Sequence, residues 1–208
     1  MERRIHTVIF DMDGTLSDSS ILTMTALRSI APEQGLPVPS EEAIRKATGY
    51  PNPEFYYILF PDTDRSKVNA VGKLVEQEEQ RLLPSLGDKL LFSGCQELLV
   101  RLREYGMRLC IASTGAEEHV FPILNTTGII GFFDTISCGR TDKTEMIREM
   151  IEPGEADHCL MVGDMKKDSE GARANHIQSV GACFGYCRRE DTDFDMYINT
   201  PLDLLNIL

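Results

Sequence analysis

Short apolar runs alternate with helical patterns along the chain, and this alternation constrains the fold more than any other feature. The runs typical of buried parallel strands are 5–11, 107–113, 133–137, 159–163 and 179–184. The helical patterns between the later runs are 94–105, 116–126, 142–152 and 167–175. Strands that alternate with helices form βαβ units, so the sequence predicts an α/β fold with a doubly wound parallel sheet.

Roughly ninety residues separate the first two predicted strands, far more than one crossover helix requires. This segment has helical patterns at 19–31, 40–48, 53–60 and 64–83. Ser40 and Asp64 are expected to N-cap two of these helices, and Asp18 to cap the first. The sequence therefore predicts a helical cap domain over 17–86, inserted into a core domain formed by 1–16 and 87–208. A last helix is predicted to begin after Thr200.

Polar side chains follow the predicted strands at the points where the strands end. They are Asp11, Asp13, Ser113, Lys143, Asp164 and Asp168. Because the carboxyl ends of parallel strands meet at one edge of a sheet, we expect these side chains to converge there. Several carboxylates in one place repel each other unless a cation compensates, and hard oxygen ligands favour Mg²⁺. A calcium loop starting at Asp11 is disfavoured, because Leu16 occupies the position that needs glycine.

The charge balance narrows the class of partner. The 208 residues contain 33 Asp and Glu against 21 Lys and Arg, a net charge of −12. This negative charge repels nucleic acids and anionic membranes, so neither is an expected partner. A small phosphorylated metabolite could still bind if a cation lies in the pocket. The sequence has no run of transmembrane length, and Asp11 interrupts the first apolar stretch too early for a signal peptide. We expect a cytoplasmic protein; the sequence leaves its oligomeric state open.

The residues at the strand ends resemble a known family. The string Asp11-Met-Asp-Gly-Thr-Leu matches the D-x-D-G-T signature of the haloacid dehalogenase (HAD) superfamily of phosphohydrolases. Ser113, Lys143 and "GDMKKD" at 163–168 resemble its second, third and fourth motifs. The insertion resembles the helical C1 cap of subfamily I. The strings "MVGDMKKDSEGARANHI" and "VGACFGYCRRED" are similar to phosphoglycolate-phosphatase-like members.

The resemblance implies a Mg²⁺-dependent phosphatase that hydrolyses a small phosphomonoester, of the phosphoglycolate or sugar-phosphate type. Asp11 would be the nucleophile that forms an aspartyl-phosphate. Asp13 would protonate the leaving alcohol and then activate water. For this role Asp13 must be protonated at neutral pH, so its site is expected to raise its pKa above the usual ~3.9.

The resemblance also implies the ligands of the metal and of the phosphate. Mg²⁺ would take an Asp11 oxygen, the backbone carbonyl of Asp13 and Asp164. Asp168 would complete the acidic group by holding Lys143 or a water on the metal. The phosphoryl group would be bound by Ser113, by the backbone at Thr114 and by Lys143.

Substrate selection is expected to lie in the cap. The turn at 48–57 contains Gly49, Tyr50 and Asn52 as candidate substrate contacts. Arg45 and Lys46 would either meet a substrate carboxylate or face solvent. The four histidines show no ligand spacing, and none is assigned a role.

Two alternatives stay open beside the phosphatase. Phosphomutases of the β-phosphoglucomutase kind place a histidine on the first cap helix, about a dozen residues after the nucleophile. Thr23 stands at that position here, which favours hydrolysis. The other alternative is a regulatory module in which Asp11 accepts phosphate and the fold serves only to bind a partner.

Overall fold

The computed structural model describes residues 5–208, and the first four residues of the predicted core domain lie outside them. Strands β1 to β6 within this range are Thr7–Phe10, Arg108–Ala112, Thr135–Ser137, Cys159–Gly163, Gln178–Ala182 and Met196–Ile198. They form one sheet in the order β3-β2-β1-β4-β5-β6, and every neighbouring pair is parallel. The predicted α/β fold with a doubly wound parallel sheet is therefore confirmed.

Helices flank this sheet and fill the long insertion between β1 and β2. Helices α1 to α4 of the insertion are Ser20–Glu33, Glu41–Ala47, Glu54–Leu59 and Arg65–Leu86. Helices α5 to α8, which connect the later strands, are Cys95–Glu104, Glu117–Thr126, Lys143–Met150 and Lys166–Ala174. Each lies within three residues of its predicted bounds. In residues 5–208, no helix is both long and apolar enough to cross a membrane.

Strand β1 lies in the middle of the sheet, and its side chains alternate between two buried layers. Val8 and Phe10 pack into the larger core, on the side of α5 and α6. Ile9 packs on the opposite face with Met146 and Met161. Because both faces of a parallel strand are covered, every residue of β1 is apolar or small, as the continuous run in the sequence predicted.

The helices of the insertion have a hydrophobic core of their own. Leu27, Ile44 and Val71 are fully buried in it, and Tyr56 is 3% exposed. A side chain at Gly72 would collide with the ring of Tyr56, so the glycine lets that ring pack against α4. The boundary between cap and core remains a prediction at residues 17 and 86.

The chain passes from core to cap through a polar junction. The Asp18 carboxylate accepts hydrogen bonds from Ser20 Oγ at 2.5 Å and from the Tyr186 hydroxyl at 2.7 Å. The Tyr186 hydroxyl in turn accepts from the Ser20 backbone N–H at 2.9 Å. The expectation that Asp18 caps α1 is wrong, because Ser19 is the residue before the helix and Asp18 binds side chains instead.

The C-terminal region differs from the prediction in two places. Strand β6 was not predicted, because it contains only three residues and directly follows an acidic stretch. The last helix is a 3₁₀ helix over Pro201–Asn206 rather than an α-helix. Its start after Thr200 agrees with the prediction, and Asp203 accepts hydrogen bonds from the backbone N–H groups of Asn199 and Thr200.

The loop after β5 packs directly on the loop that carries the first aspartates. The Tyr186 backbone N–H donates to the Gly14 carbonyl at 3.3 Å. A Cβ on Gly185 would overlap that same carbonyl oxygen. Only a residue without a side chain allows the two backbones to approach so closely.

Replacing Gly185 with Ala is expected to destabilise the protein by about 3 kcal/mol, because the loop must move away from Gly14. Gly131→Ala is the matched control, since no heavy atom outside its chain neighbours lies within 4 Å of the added methyl group. That control should change stability by less than about 0.5 kcal/mol. Urea unfolding of both variants measures the difference, and equal stabilities would contradict this account of the loop.

Candidate active site

Asp11 lies directly after β1, at the edge of the sheet where the parallel strands end. Its backbone N–H donates to the Val162 carbonyl at 2.9 Å, which extends the pairing of β1 with β4 by one residue. Its Oδ1 accepts hydrogen bonds from the Met12 backbone N–H at 2.8 Å and from Lys143 Nζ at 2.7 Å. With 6% exposure, the carboxylate is fixed in place at the end of a rigid strand.

Lys143 reaches this edge from the first residue of α7. Asp142 caps that helix by accepting from the Thr144 backbone N–H at 2.8 Å. The buried Lys143 ammonium lies 2.7 Å from Asp11 Oδ1 and 2.5 Å from Asp168 Oδ1. Burial by itself lowers the pKa of Lys143, but Asp11 and Asp168 outweigh it and raise the pKa above its usual value. The lysine is therefore a permanent cation that links two carboxylates.

Both carboxylate oxygens of Asp168 accept hydrogen bonds from neighbouring groups. Its Oδ1 receives Lys143, and its Oδ2 accepts from the backbone N–H groups of Asp164 at 3.2 Å and Met165 at 2.9 Å. A Cβ on Gly163 would collide with the Asp168 side chain, so the glycine before Asp164 makes room for it. Asp168 thus connects the loop after β4 to Lys143.

Asp164 follows β4 and is 1% exposed. Its Oδ1 accepts from Thr15 Oγ1 at 3.2 Å. Its Oδ2 is buried and has no hydrogen-bond partner among residues 5–208. A buried carboxylate oxygen without a partner is costly, and it indicates that a cation belongs beside it.

The carboxylates at this edge fit a divalent cation. One oxygen from each of Asp11, Asp164 and Asp168 can be chosen so that all lie within 4.8 Å of one another. Burial raises the pKa of Asp11 to about 7, against the opposing charge of Lys143. Burial, with Asp11 and Asp168, raises the pKa of Asp164 well above its usual value. Mg²⁺ prefers hard oxygen ligands such as carboxylates, and Asp164 Oδ2 is a carboxylate oxygen that has no hydrogen-bond partner among residues 5–208.

Asp13 turns away from this acidic group and faces His119. The His119 Nε2 atom lies 3.1 Å from Asp13 Oδ1. Burial by itself raises the pKa of Asp13, but the charge and hydrogen bond of His119 hold it below its ordinary value. The expectation of a raised pKa is therefore wrong.

His119 carries the proton of this pair. Burial by itself lowers the pKa of His119, yet Asp13 and then Glu79 raise it to about 9. The sequence assigned no role to His119, because its spacing from other residues does not match a pattern of metal ligands. The available signal was its place in the first turn of α6, six residues after Ser113, at the helix end that faces the active edge.

Ser113 and Thr114 follow β2 at the same edge. The Ser113 backbone N–H donates to the Ser137 carbonyl at 3.0 Å, and Ser113 Oγ accepts from the Gly115 N–H at 3.1 Å. Both residues line a cavity of about 480 Å³ that also contains Asp11 and Asp13. The structure thus brings the predicted phosphate ligands of this loop to the predicted nucleophile.

The cap contributes the opposite wall of this cavity. The predicted contact residues Gly49, Tyr50 and Asn52 all line it. Asn52 Nδ2 donates to Glu76 Oε1 at 2.6 Å, whereas the Tyr50 side chain is half exposed. The cavity therefore lies between core and cap and spans the distance from the nucleophile to the predicted specificity turn.

Comparisons with known proteins agree with this geometry. The family model described as haloacid dehalogenase-like hydrolase matches residues 8–182. The chain is 30% identical over 201 residues to the tyrosine-protein kinase PtkA of Mycobacterium tuberculosis; the match covers 89% of this chain and 65% of PtkA. It is 25% identical over 223 residues to the phosphoglycolate phosphatase of Nitrosococcus oceani, covering 100% of this chain and 98% of that protein.

A solved structure has the same fold over its whole length. It is a predicted phosphoglycolate phosphatase from Haemophilus somnus, 19% identical, with a TM-score of 0.85 and coverage of 100% of this chain and 99% of that one. The motif residues at the strand ends, the cap over them and the family match over 8–182 lead to one conclusion. The chain belongs to the haloacid dehalogenase-like hydrolase family and is similar in sequence to phosphoglycolate phosphatases.

Proposed function

We propose that this hydrolase is a Mg²⁺-dependent phosphatase that cleaves a small phosphomonoester through a phosphorylated Asp11. The observation that carries the proposal is the setting of Asp11. Its carboxylate is held by Lys143, has an oxygen within 4.8 Å of an oxygen of Asp164, and lines a cavity of about 480 Å³. A fixed carboxylate next to a cation site is suited to attack a phosphoryl group.

In the first step, an Asp11 oxygen forms a bond to phosphorus while the ester P–O bond breaks. Lys143 fixes the orientation of Asp11 through its 2.7 Å contact with Oδ1, which leaves Oδ2 for the attack. The leaving alcohol takes a proton from the pair formed by Asp13 and His119. Because His119 holds that proton at neutral pH, Asp13 relays it rather than storing it.

In the second step, a water attacks the phosphorus of the aspartyl-phosphate and gives a proton back to the Asp13–His119 pair. The bond between phosphorus and Asp11 breaks, and inorganic phosphate leaves. Ser113 and the backbone at Thr114 are positioned to bind the phosphoryl oxygens in both steps, since both residues line the cavity beside Asp11.

The metal ligands proposed are Asp11, Asp164 and the backbone carbonyl of Asp13. Bound Mg²⁺ would neutralise negative charge so that one anion can approach another. Asp168 acts differently, because its oxygens already receive Lys143 and two backbone N–H groups. We assign it the role of holding Lys143 and the loop after β4.

The names of the curated relatives point to phosphoglycolate, and the sequence also admits sugar phosphates, so both belong in a first substrate screen. Release of free phosphate separates this proposal from a phosphomutase, which would isomerise a sugar phosphate without releasing it. It also separates the proposal from a regulatory module that only accepts phosphate. The cytoplasm remains the predicted compartment.

The test is phosphate release from p-nitrophenyl phosphate, expected with Mg²⁺ and abolished by EDTA. Mg²⁺ at one hundred times its Kd should also stabilise the protein by roughly 2.7 kcal/mol in thermal unfolding. Asp164→Asn should lose both effects, because it removes the charge beside the site. Asp88→Asn, at an exposed position of the short 3₁₀ helix Gly87–Leu90, is the matched control and should keep both. Turnover that persists in EDTA would contradict the metal dependence.

A further inference from the structure

The ionisable side chains that line the cavity between core and cap are mostly acidic. Its lining residues of the Asp, Glu, His, Lys and Arg types are Asp11, Asp13, Glu76, Glu79, Glu118 and His119. Within residues 5–208, no Lys or Arg lines it. A substrate phosphate brings two further negative charges, and the proposed Mg²⁺ and Lys143 lie at the core end where that phosphate binds. Among the described lining residues, the only cation is His119, which faces Asp13; Glu76 and Glu79 at the cap end have no Lys or Arg in the lining.

The two cap cations that were candidates for a substrate carboxylate are engaged elsewhere. Arg45 Nη2 lies 2.7 Å from Glu41 and 3.4 Å from Asp18. Lys46 Nζ lies 2.9 Å from Glu42, and its side chain is 63% exposed. Neither residue lines the cavity, so neither is placed to receive an anionic leaving group.

Two further basic groups lie near the cavity. Lys167 keeps its charge but does not line the cavity; its Nζ donates to the Gly49 carbonyl at 3.1 Å and lies 5.5 Å from the centre of the Tyr50 ring. His119 faces Asp13, which offsets its positive charge. No cation in the described lining is thus left to balance a second anionic group on the substrate.

Helix α4 supplies the acidic wall at the cap end. Glu79 Oε1 accepts from Thr23 Oγ1 at 2.6 Å, and Glu76 Oε1 accepts from Asn52 Nδ2 at 2.6 Å. Both donors are neutral, so these hydrogen bonds orient the carboxylates without cancelling their charge. Burial raises the pKa of Glu79, although His119 opposes this, so a cation bound beside Glu79 would favour its ionised form.

Aromatic rings complete the same wall. Tyr50, Phe55 and Tyr56 line the cavity together with Glu76 and Glu79. Carboxylates combined with aromatic faces suit an ammonium group, which gains from both Coulomb attraction and cation–π contact. The same wall repels a carboxylate.

We propose that the cap end of the cavity selects phosphomonoesters whose alcohol carries an ammonium group and rejects those whose alcohol carries a carboxylate, with Glu76 and Glu79 as the specificity-determining residues. Neutral alcohols are accepted with intermediate preference. The inference rests on the proposed phosphatase function, because it assigns the substrate class of that same site. It separates this chain from the phosphoglycolate phosphatases to which it is similar, since phosphoglycolate carries a carboxylate.

Three phosphomonoesters of two carbons form a matched series for the test: O-phosphoethanolamine, 2-hydroxyethyl phosphate and 2-phosphoglycolate. They differ in the charge of the group beyond the ester. Each is measured as a substrate by phosphate release and as a competitive inhibitor of p-nitrophenyl phosphate hydrolysis. The ammonium compound should exceed phosphoglycolate by at least about tenfold in apparent affinity, with the neutral compound between them.

The double variant Glu76→Gln plus Glu79→Gln should bring the ammonium and carboxylate compounds to within about threefold of each other. Glu78→Gln is the matched control on the same helix, because Glu78 pairs with Arg81 at 2.6 Å and does not line the cavity. It should keep the wild-type ranking. Turnover of p-nitrophenyl phosphate is also measured for the double variant, because retained turnover shows that the variant is folded.

The outcomes separate this inference from the function on which it rests. The enzyme could turn over p-nitrophenyl phosphate but bind phosphoglycolate as well as, or better than, phosphoethanolamine. That result overturns the charge selection and leaves the phosphatase function standing. An unchanged ranking in the double variant overturns the role of Glu76 and Glu79. Absence of any Mg²⁺-dependent phosphate release overturns the proposed function, and the substrate class with it.

Discussion

Replacing Asp11 with Asn is expected to lower turnover of p-nitrophenyl phosphate by at least about four orders of magnitude. The amide is nearly the same shape as the carboxylate but is a very poor nucleophile, and no phosphoryl bond forms. The change also removes the negative partner of Lys143 at 2.7 Å. Initial rates with Mg²⁺ at saturating substrate measure the loss.

A matched control shows that the loss is chemical rather than structural. Asp18→Asn replaces a carboxylate of the same segment that binds Ser20 and Tyr186 and does not line the cavity. Its turnover should stay within about tenfold of the wild type. If Asp11→Asn retained a tenth of the wild-type rate, Asp11 would not be the nucleophile.

Replacing Asp13 with Asn should lower turnover of an alkyl phosphate by about 10²- to 10⁴-fold, because the amide cannot pass the proton of His119 to the leaving oxygen. The rate of the first step with acetyl phosphate, measured in a single turnover as acetate release, should fall much less, because that leaving group needs no proton. The thermal stabilisation by Mg²⁺ should remain, since the Asp13 side chain faces His119 and not Asp164.

The comparison of the two substrates makes this prediction specific. A structural defect would slow the first step with acetyl phosphate and with alkyl phosphates alike. Equal losses of the first-step rate on both, or full activity of Asp13→Asn on the alkyl phosphate, would contradict the assignment of Asp13 as the acid and base.

The acidic centre was predictable because it follows from topology. Asp11, Lys143 and the pair Asp164 and Asp168 come from three separate segments, each at the end of a strand or the start of a helix. Once the apolar runs are assigned to one parallel sheet, those positions must meet at one edge. The contacts of Lys143 with Asp11 and Asp168 are the result.

The Asp13–His119 pair was not predictable in the same way. Asp13 was expected to hold its own proton, and the sequence does not show which basic side chain reaches it from another element. His119 does so from the first turn of α6, and its position depends on how that helix crosses the sheet. The electrostatic state of a buried acid depends on such tertiary neighbours, so a motif alone does not determine it.

The charge of the cavity also appears only in three dimensions. The sequence left open whether Arg45 and Lys46 would meet a substrate carboxylate. The structure pairs them with Glu41 and Glu42 on the same helix, while Glu76 and Glu79 of α4 line the cavity. Helical periodicity places Glu76 and Glu79 on one face, but only the packing of α4 shows which face borders the cavity.

The most direct test of the central claim is to locate the phosphoryl group on the protein. Asp13→Asn is mixed with acetyl phosphate and Mg²⁺ and quenched in acid, and its peptides are analysed by mass spectrometry. Cleavage of acetyl phosphate needs no proton donor, whereas hydrolysis of the intermediate needs a base to take a proton from water. The phosphoenzyme should therefore accumulate, with the group on Asp11. A phosphoryl group on any other residue, or none while the wild type turns over, would contradict the account.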